Sequence, residues 1–136
     1  MNKKLRVFEM FAGYGGASFA LKKAEIAHEV VGFSEIDKYA IQCWEQNHHQ
    51  FKEENRDESL NYGDCTKIDP NDIPDFDLLT GGFPCQSFSV AGKGLGVDDD
   101  RGLLFNDILR VLKVKKPTHI LLENVKGLLG KKHKDF

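Results

Sequence analysis

The chain has 136 residues, enough for one domain of ordinary size, and its hydrophobic and charged fractions of 40% and 29% exclude disorder throughout. Its formal net charge of −2 argues against a free-standing nucleic-acid binder, because phosphate contacts need clustered Lys and Arg. The apolar run near the N-terminus is too short for a signal sequence or a membrane span, so we expect a cytoplasmic protein.

Predicted strands and helices alternate along the chain. The strands are predicted over residues 5–11, 29–34, 60–63, 77–80 and 118–122. The helices are predicted over residues 17–24, from Asp37 onward, and over residues 103–114, with Pro117 ending the last one. This alternation predicts parallel βαβ units, and therefore an α/β fold with a doubly wound, mostly parallel sheet. Ligands bind outside the carboxyl ends of the strands in such sheets.

A glycine turn, Ala12-Gly13-Tyr14-Gly15-Gly16, joins the first strand to the first helix. Glycine permits a sharp turn and the close approach of a ligand, and the helix N-terminus offers amide donors to an anionic group. The GxGG spacing differs from the GxGxxG of dinucleotide sites. A plain tight turn between strand and helix is the alternative interpretation.

Carboxylates follow the next two strands. Glu35 could accept hydrogen bonds from both hydroxyls of a ribose, or it could be a surface residue beside a helix that Asp37 caps. Asp64 could accept a hydrogen bond from an exocyclic amine such as adenine N6, or it could form an Asx turn within residues 63–66. Together with the glycine turn, these residues at successive strand ends predict a nucleoside pocket.

The sequence has three cysteines, Cys43, Cys65 and Cys85, and no CxxC pair. This spacing predicts neither a disulfide framework nor a metal site, and it favours reduced thiols. Cys85 lies in a Gly-Phe-Pro-Cys-Gln-Ser loop after a strand, where a thiolate could act as a nucleophile. Cys43, on an apolar helix face, and Cys65 are expected to be small core residues.

Glu123 closes the fifth predicted strand, within Leu-Leu-Glu-Asn-Val. A carboxylate at this point is costly to bury without a partner, and it could serve as a proton donor. The alternative is an ordinary Glu at a helix N-terminus.

Six segments, in this order and spacing, resemble the cytosine-C5 DNA methyltransferases. They are Phe-Ala-Gly-Tyr-Gly-Gly at 11–16, Glu-Ile-Asp at 35–37, Gly-Asp at 63–64, Gly-Phe-Pro-Cys-Gln-Ser-Phe-Ser at 82–89, Arg-Gly-Leu-Leu-Phe at 101–105, and Glu-Asn-Val at 123–125. The resemblance covers nearly the whole chain, and the Pro-Cys-Gln-Ser-Phe-Ser and Glu-Asn-Val segments are highly specific as a pair.

The resemblance implies a Rossmann-like methyltransferase fold, S-adenosyl-L-methionine as methyl donor, no metal, and double-stranded DNA as substrate. Residues 1–136 would be the N-terminal part of the catalytic domain of a prokaryotic, DNA-associated enzyme, such as the methyltransferase of a restriction-modification system. Glu35 would bind the ribose, Asp64 would meet adenine N6, and the glycine turn would hold the methionine end. The full set implied for the donor is Phe11, Ala12, Gly13, Gly15, Gly16, Glu35, Ile36, Asp64, Cys65, Pro84 and Leu104.

For the cytosine, the resemblance implies covalent catalysis. Cys85 would attack C6 of a base flipped out of the duplex. Glu123 would hold the base at N3 and N4 and donate a proton, so that C5 can take the methyl group. Ser87 and Arg101 would contact the DNA backbone near the flipped base.

The sequence also departs from the family's pattern. Glu9-Met10 stands where the family usually has Asp-Leu. Beyond Val125 the family continues with an Arg-rich strand, a target-recognition region and a closing helix that are not found here. We therefore expect a fold incomplete at its C-terminus, with an exposed sheet edge and a cofactor pocket lacking one wall. One subunit of a split enzyme, a truncated gene product and a piece of a longer chain all remain open, and the first requires a second chain with the recognition region.

Other functions also stay open at this point. An RNA cytosine methyltransferase would share the architecture. A non-catalytic cofactor-binding or regulatory subunit, or an inactive remnant, would keep the pocket without the activity. A dehydrogenase-like nucleotide binder is the third alternative, and the GxGG spacing and the Pro-Cys loop argue against it.

Overall fold

The computed structural model describes residues 3–51, 59–83 and 104–124. Within these ranges, four strands alternate with three α-helices. Their bounds are β1 Leu5–Met10, α1 Gly16–Lys23, β2 His28–Ser34, α2 Lys38–Asn47, β3 Leu78–Gly81, α3 Leu104–Lys115 and β4 His119–Leu122. Short 3₁₀ helices span His49–Phe51 and Pro70–Asp72.

The four strands are parallel and lie in the order β2-β1-β3-β4. Consecutive residues of a strand point to opposite faces, and here they join different apolar clusters. Val7 packs with Trp44 of α2 on one face, whereas Phe8 packs with Ile108 of α3 on the other. Helices therefore cover both faces, and the predicted doubly wound α/β fold is confirmed.

The third predicted strand, residues 60–63, is reduced to an isolated parallel bridge between Asn61 and Phe33. Its backbone bonds run from Phe33 N to Leu60 O at 3.0 Å and from Tyr62 N to Phe33 O at 2.8 Å. Gly63 then turns the chain away with φ at 76°. Since the bridge lies beyond β2, the strand order reverses between β1 and β3, where doubly wound folds form their ligand crevice.

Most residues of the central strands β1 and β3 are buried, because their apolar side chains meet a layer of helices or loops on each face. Phe8, Phe33 and Leu79 are all 0% exposed. The ring of Phe8 stacks on Phe76 with centroids 5.5 Å apart and meets Tyr62 edge-on at 5.7 Å. These contacts fix the loops after β2 against the sheet, so the ends of β1 and β2 stand on a rigid base.

Strand β4 is different, because it is paired only with β3 in the described part of the chain. Ile120 and Leu121 are 51% and 59% exposed. Among the described residues, β4 thus forms one edge of the sheet. None of the described helices is both long and apolar enough to cross a membrane.

The helix α2 corrects one expectation. Cys43 is exposed, and Trp44 is the buried residue of this helix. The prediction that Cys43 is a core residue is wrong, because Trp44 is the residue through which α2 is buried and Cys43 lies on the exposed side of the helix. Tyr39, on the same helix, is 74% exposed. The same expectation for Cys65 is confirmed, since this side chain is 6% exposed.

Candidate active site

After β1, the chain enters the glycine turn through residues in the left-handed backbone conformation. Phe11, Gly13 and Gly15 have φ values of 52°, 57° and 88°. Gly15 N donates to Ala12 O at 3.0 Å, and Phe19 N donates to Gly15 O at 3.2 Å. Gly15, the residue before α1, has no side chain to cap the helix. The turn must therefore be held from outside by other elements.

Glu35 is one of these elements. Its Oε1 accepts a hydrogen bond from Gly13 N at 2.9 Å, and its Oε2 accepts from Ile36 N at 2.8 Å and from Asp37 N at 3.0 Å. Asp37 caps α2 by accepting from Ala40 N at 2.8 Å. The carboxylate thus joins the end of β2 to the turn after β1, which a plain surface residue would not do.

The bridge segment is fastened to the same loop. Asn61 Oδ1 accepts hydrogen bonds from Glu35 N at 3.1 Å and Gly63 N at 2.9 Å, while its Nδ2 donates to Glu35 O at 3.1 Å. Ser34 Oγ donates to Gly63 O at 2.7 Å. These bonds fix the approach of the chain to Asp64.

Asp64 forms the Asx turn that the sequence left as an alternative. Its Oδ1 accepts hydrogen bonds from Thr66 Oγ1 at 2.8 Å and from Thr66 N at 2.9 Å. These two bonds hold the pKa of Asp64 below its usual value. The carboxylate is therefore a fixed acceptor at the end of the segment that follows β2.

A cavity of about 260 Å³ lies between these strand ends. It brings together most of the residues expected at the adenosine end of the donor. Its lining residues are Phe11, Ser34, Glu35, Ile36, Asp64, Cys65, Gly82 and Leu104. Carboxylates thus lie beside apolar walls, the combination that a nucleoside needs.

A second cavity of about 430 Å³ adjoins the first, since Phe11 and Gly82 line both. Its other lining residues are Glu9, Met10, Ala12, Gly13, Tyr14, Gly16, Ala17, Thr80, Gly81, Leu121 and Glu123. Glu123 is exposed at this cavity and is placed by a bond from its N to Gly81 O at 2.8 Å. Its carboxylate stands close to Gly82, since a Cβ on Gly82 would be 3.0 Å from Glu123 Oε2.

Gly15 takes a different place from the other glycines of the turn. It is buried, and a Cβ at this position would be 2.1 Å from Nε2 of His48 and 2.9 Å from Cδ1 of Trp44. A Cβ on Gly13, by contrast, would meet nothing within 4 Å, and Gly13 lines the second cavity. Gly15 is thus required for packing beneath the turn, and Gly13 and Gly16 form its cavity side.

Glu9 is the buried carboxylate beneath the turn, with 1% of its surface exposed. Its Oε1 accepts from Ser18 N at 3.1 Å, and its Oε2 accepts from Trp44 Nε1 at 2.6 Å. Burial raises the pKa of Glu9, and the hydrogen bonds from Trp44 and Ser18 act in the opposite direction. The longer side chain that replaces the family's usual Asp therefore connects the first turn of α1 to α2.

Four predicted site residues, Pro84, Cys85, Ser87 and Arg101, lie outside the described residues. Of the two described cysteines, Cys65 is a poor candidate for a nucleophile, because burial, with Asp107 and Asp64 nearby, raises the pKa of its thiol to about 12. Cys43 lies on the exposed side of α2. Across residues 3–51, 59–83 and 104–124, no group of three or more His, Cys, Asp or Glu could hold a metal ion.

Sequence reasoning missed several residues that support the site. Arg110 of α3 donates hydrogen bonds to the carbonyl oxygens of Ile68 and Cys65, the latter at 2.8 Å, and so joins the segment after Asp64 to α3. Asn61, Trp44 and His48 are the others. Their contacts join residues far apart in the chain, so no local motif marks them.

Comparison with known proteins decides the family. The model of the C-5 cytosine-specific DNA methylase family matches residues 5–136. The chain belongs to this family. The fold agrees, since the solved structure of S. pombe Dnmt2 methyltransferase matches 97% of this chain and 40% of its own, with a TM-score of 0.71 and 30% identity.

Curated relatives in the family are similar over nearly the whole chain. It is 51% identical over 127 residues to the orphan methyltransferase M.Rho11sI of Bacillus phage rho11s, covering 93% of this chain and 24% of the relative. It is 49% identical over 125 residues to the type II methyltransferase M1.ScrFI of Lactococcus lactis subsp. cremoris, covering 92% and 30%. The chain thus spans about a quarter to a third of the length of these relatives.

Proposed function

We propose that this chain carries the donor-binding part of a cytosine-C5 DNA methyltransferase and uses S-adenosyl-L-methionine as its methyl donor. The observation that carries the proposal is the cavity of about 260 Å³ whose walls combine Phe11, Glu35, Ile36 and Asp64. These residues come from the ends of β1 and β2 and from the segment after the bridge, and the family resemblance singles out the same positions.

The chemistry of the lining suits an adenosine. Phe11, Ile36 and Leu104 offer apolar surfaces for a purine ring. Glu35 stands where a carboxylate can accept hydrogen bonds from ribose hydroxyls. Asp64 has one oxygen engaged by Thr66, and its second oxygen is available to an exocyclic amine. The adjoining cavity, beside the glycine turn, suits the methionine end.

The bound donor would supply an electrophilic methyl group, and residues of this chain would prepare the cytosine. The Cys85 thiolate would attack C6 of the flipped base, forming a C–S bond. Glu123 would hold N3 and N4 and give a proton to N3, so that C5 becomes nucleophilic and takes the methyl. A base would then remove the C5 proton, loss of the Cys85 thiolate would restore the aromatic ring, and N3 would return its proton to the Glu123 carboxylate.

Neighbouring strand ends support this pairing. Strands β3 and β4 are adjacent, β3 leads through Gly82 and Phe83 toward Cys85, and β4 delivers Glu123. Asn124 Nδ2 donates to Phe83 O at 3.4 Å, which joins the two loops. Loops from adjacent parallel strands lie at the same edge of a sheet, so a nucleophile and a proton donor could face one base.

The acceptor would be double-stranded DNA. Ser87 and Arg101 would contact its backbone, and base recognition would come from a target-recognition region in a second chain or in further sequence. The exposed Ile120 and Leu121 of β4 offer an apolar surface for such a complement. The curated relatives are described as orphan and type II methyltransferases, and these descriptions support a role in DNA modification, including restriction-modification.

The test is transfer of a labelled methyl group from S-adenosylmethionine to duplex DNA. It is measured with this chain alone and with this chain together with a second chain that carries a recognition region. Cys85→Ala should reduce transfer by at least about 10³-fold. Cys43→Ala, at an exposed cysteine, is the matched control and should retain transfer. Transfer that persists in Cys85→Ala would show that Cys85 is not the nucleophile.

Two further acceptors separate the alternatives. DNA containing 5-fluorocytosine should trap the protein covalently only when Cys85 is present, and a non-catalytic module would not be trapped. Transfer RNA in place of duplex DNA should receive no methyl group, and preferential methylation of that RNA would favour the RNA enzyme.

A further inference from the structure

His48 is a buried histidine that none of the proposed chemistry uses. It directly follows α2, is 2% exposed, and donates its backbone N–H to Trp44 O at 2.9 Å. Its ring lies among aromatic rings, with centroids 4.7 Å from Phe19 of α1, 5.0 Å from Trp44 and 6.2 Å from Phe51. A polar ring in such surroundings needs a hydrogen-bond partner.

The partner is the glycine turn. His48 Nε2 lies 3.0 Å from the carbonyl oxygen of Tyr14, in the middle of the turn. Since a carbonyl only accepts, this contact requires a proton on Nε2. The same ring closes over Gly15, leaving no room for a Cβ there. His48 therefore contacts the turn through both a directed bond and its surface.

The position of His48 is itself fixed. Trp44, one helical turn earlier, stacks on Phe33 with ring centroids 3.9 Å apart and donates Nε1–H to Glu9 Oε2 at 2.6 Å. The other end of α2 begins beside Glu35, which accepts a hydrogen bond from Gly13 N. The residues that flank α2 thus hold the glycine turn at two points. Glu35, before the helix, binds Gly13, and His48, after the helix, contacts Tyr14 and Gly15.

We propose that His48 is a positioning residue of the donor site, whose Nε2–H bond to Tyr14 O holds the glycine turn in the shape that binds the methionine end of the donor. The identity of the ligand in this inference rests on the proposed function, whereas the effect of His48 on the turn does not depend on it. His48 touches neither cavity, so it acts through the backbone of residues 13–16.

The charge state of His48 agrees with this role. Burial lowers the pKa of His48, and electrostatic interaction with His28 of β2 and Lys22 of α1 lowers it further, although the backbone groups of Tyr14 and Gly15 act in the opposite direction. The carboxylate of Glu9 of β1 accepts a hydrogen bond from Trp44, which lies next to the ring of His48. The imidazole is thus neutral in the native state. Its contribution to the stability of the turn is fully present above about pH 6.5, and it should be lost as the pH falls from there through the lowered pKa of His48.

Amide hydrogen exchange tests the turn directly, in the full chain and without a ligand. His48→Ala should speed exchange at Gly13, Gly15 and Ser18 by about tenfold or more relative to amides of α3, because the local opening becomes easier. His48→Gln, which keeps an N–H donor, should restore part of the protection. His49→Ala is the matched control and should leave the turn unchanged, since His49 is exposed.

If His48→Ala speeds amide exchange equally in α3 and in the turn, His48 only stabilises the fold as a whole. If exchange in the turn is unchanged, His48 does not hold the turn. Either result would overturn the inference. In the wild type, protection of the turn should fall between pH 7 and pH 5 relative to α3, and in His48→Gln this change should be absent. An identical pH profile in both proteins would also overturn it.

Binding of S-adenosylhomocysteine provides the second readout. If the wild type binds it, His48→Ala should weaken the affinity about tenfold and His48→Gln by less. Unchanged affinity in His48→Ala would overturn the positioning role. Absence of binding by the wild type at both pH values would count against the proposed function, while the exchange experiment would still decide whether His48 holds the turn.

Discussion

The two ends of the sheet are built differently. On the β2 side, the loops after β1, β2 and the bridge are joined to one another by side-chain bonds from Glu35, Asn61 and Ser34. On the β4 side, the outer strand exposes Ile120 and Leu121, and Glu123 stands exposed at its end. The strand ends on the β2 side are thus fastened to one another by side-chain bonds, whereas the described residues at the end of β4 are exposed.

Under the proposed function, the β2 side would bind the donor, and the ends of β3 and β4 would receive the cytosine. A nucleoside pocket needs fixed donors and acceptors, and short bonded loops between buried strands provide them. A site that receives a base flipped out of DNA has to admit a large substrate. The two cavities meet at Phe11 and Gly82, which line both of them.

The largest difference between the two regions should appear in packing. Leu79 is 0% exposed, and its neighbour across the β3–β4 pair is Ile120, which is 51% exposed. Leu79→Ala should lower the free energy of unfolding by about 2–5 kcal/mol because it leaves a cavity. Ile120→Ala should lower it by less than about 1 kcal/mol. Denaturant unfolding of both variants measures this, and equal losses would mean that β4 is covered in solution.

The glycine turn offers a second, smaller contrast. Gly15→Ala must strain a left-handed residue and also push against His48, whereas Gly13→Ala meets only the strain. We expect Gly15→Ala to be more destabilising than Gly13→Ala by about 1–3 kcal/mol, the usual cost of overpacking. Thermal unfolding of the two variants compares them. A similar loss for both would mean that His48 and Trp44 do not enclose Gly15.

The smallest effect concerns pH. Burial raises the pKa of Glu9, so the folded state holds this proton at a pH where the unfolded state has released it. The contribution of Glu9 to stability is then fully present below about pH 4.5 and falls as pH rises through the pKa of the folded state. Glu9→Gln cannot titrate, so the stability of the wild type relative to Glu9→Gln should decline over this range. A pH-independent difference in the free energy of unfolding would contradict the raised pKa.

Local patterns in the sequence predict the strands, the helices and the residues at the strand ends. Alternating apolar runs gave β1, β2, β3 and β4 within a few residues, and the fold class followed. Asp37 was also correctly placed at the start of α2, because a helix cap is a local signal. The cavity of about 260 Å³ then brings together residues that the sequence grouped by their places after successive strands and by the family resemblance.

The supports of the site were not predictable, because they depend on which faces meet. The burial of Trp44 and the exposure of Cys43 are decided by the angle at which α2 lies on the sheet, and adjacent positions of an apolar helix give no sign of it. His48 lies in a polar stretch of the sequence, yet it packs under the glycine turn. The bridge at Asn61 is short because Gly63 and the Asx turn at Asp64 end it, a competition between local and strand bonds.

The central claim is that the cavity of about 260 Å³ binds the donor through Glu35. Calorimetric titration of the chain with S-adenosylhomocysteine tests it most directly, with Glu29→Ala as control, since Glu29 is an exposed residue of β2 paired with Arg6 at 3.4 Å. We predict one-to-one binding that Glu35→Ala weakens by about 1.5–3 kcal/mol, the value of a hydrogen bond to a charged group, and that Glu29→Ala leaves unchanged. Unchanged affinity in Glu35→Ala, or binding of NAD in preference to S-adenosylhomocysteine, would contradict the account.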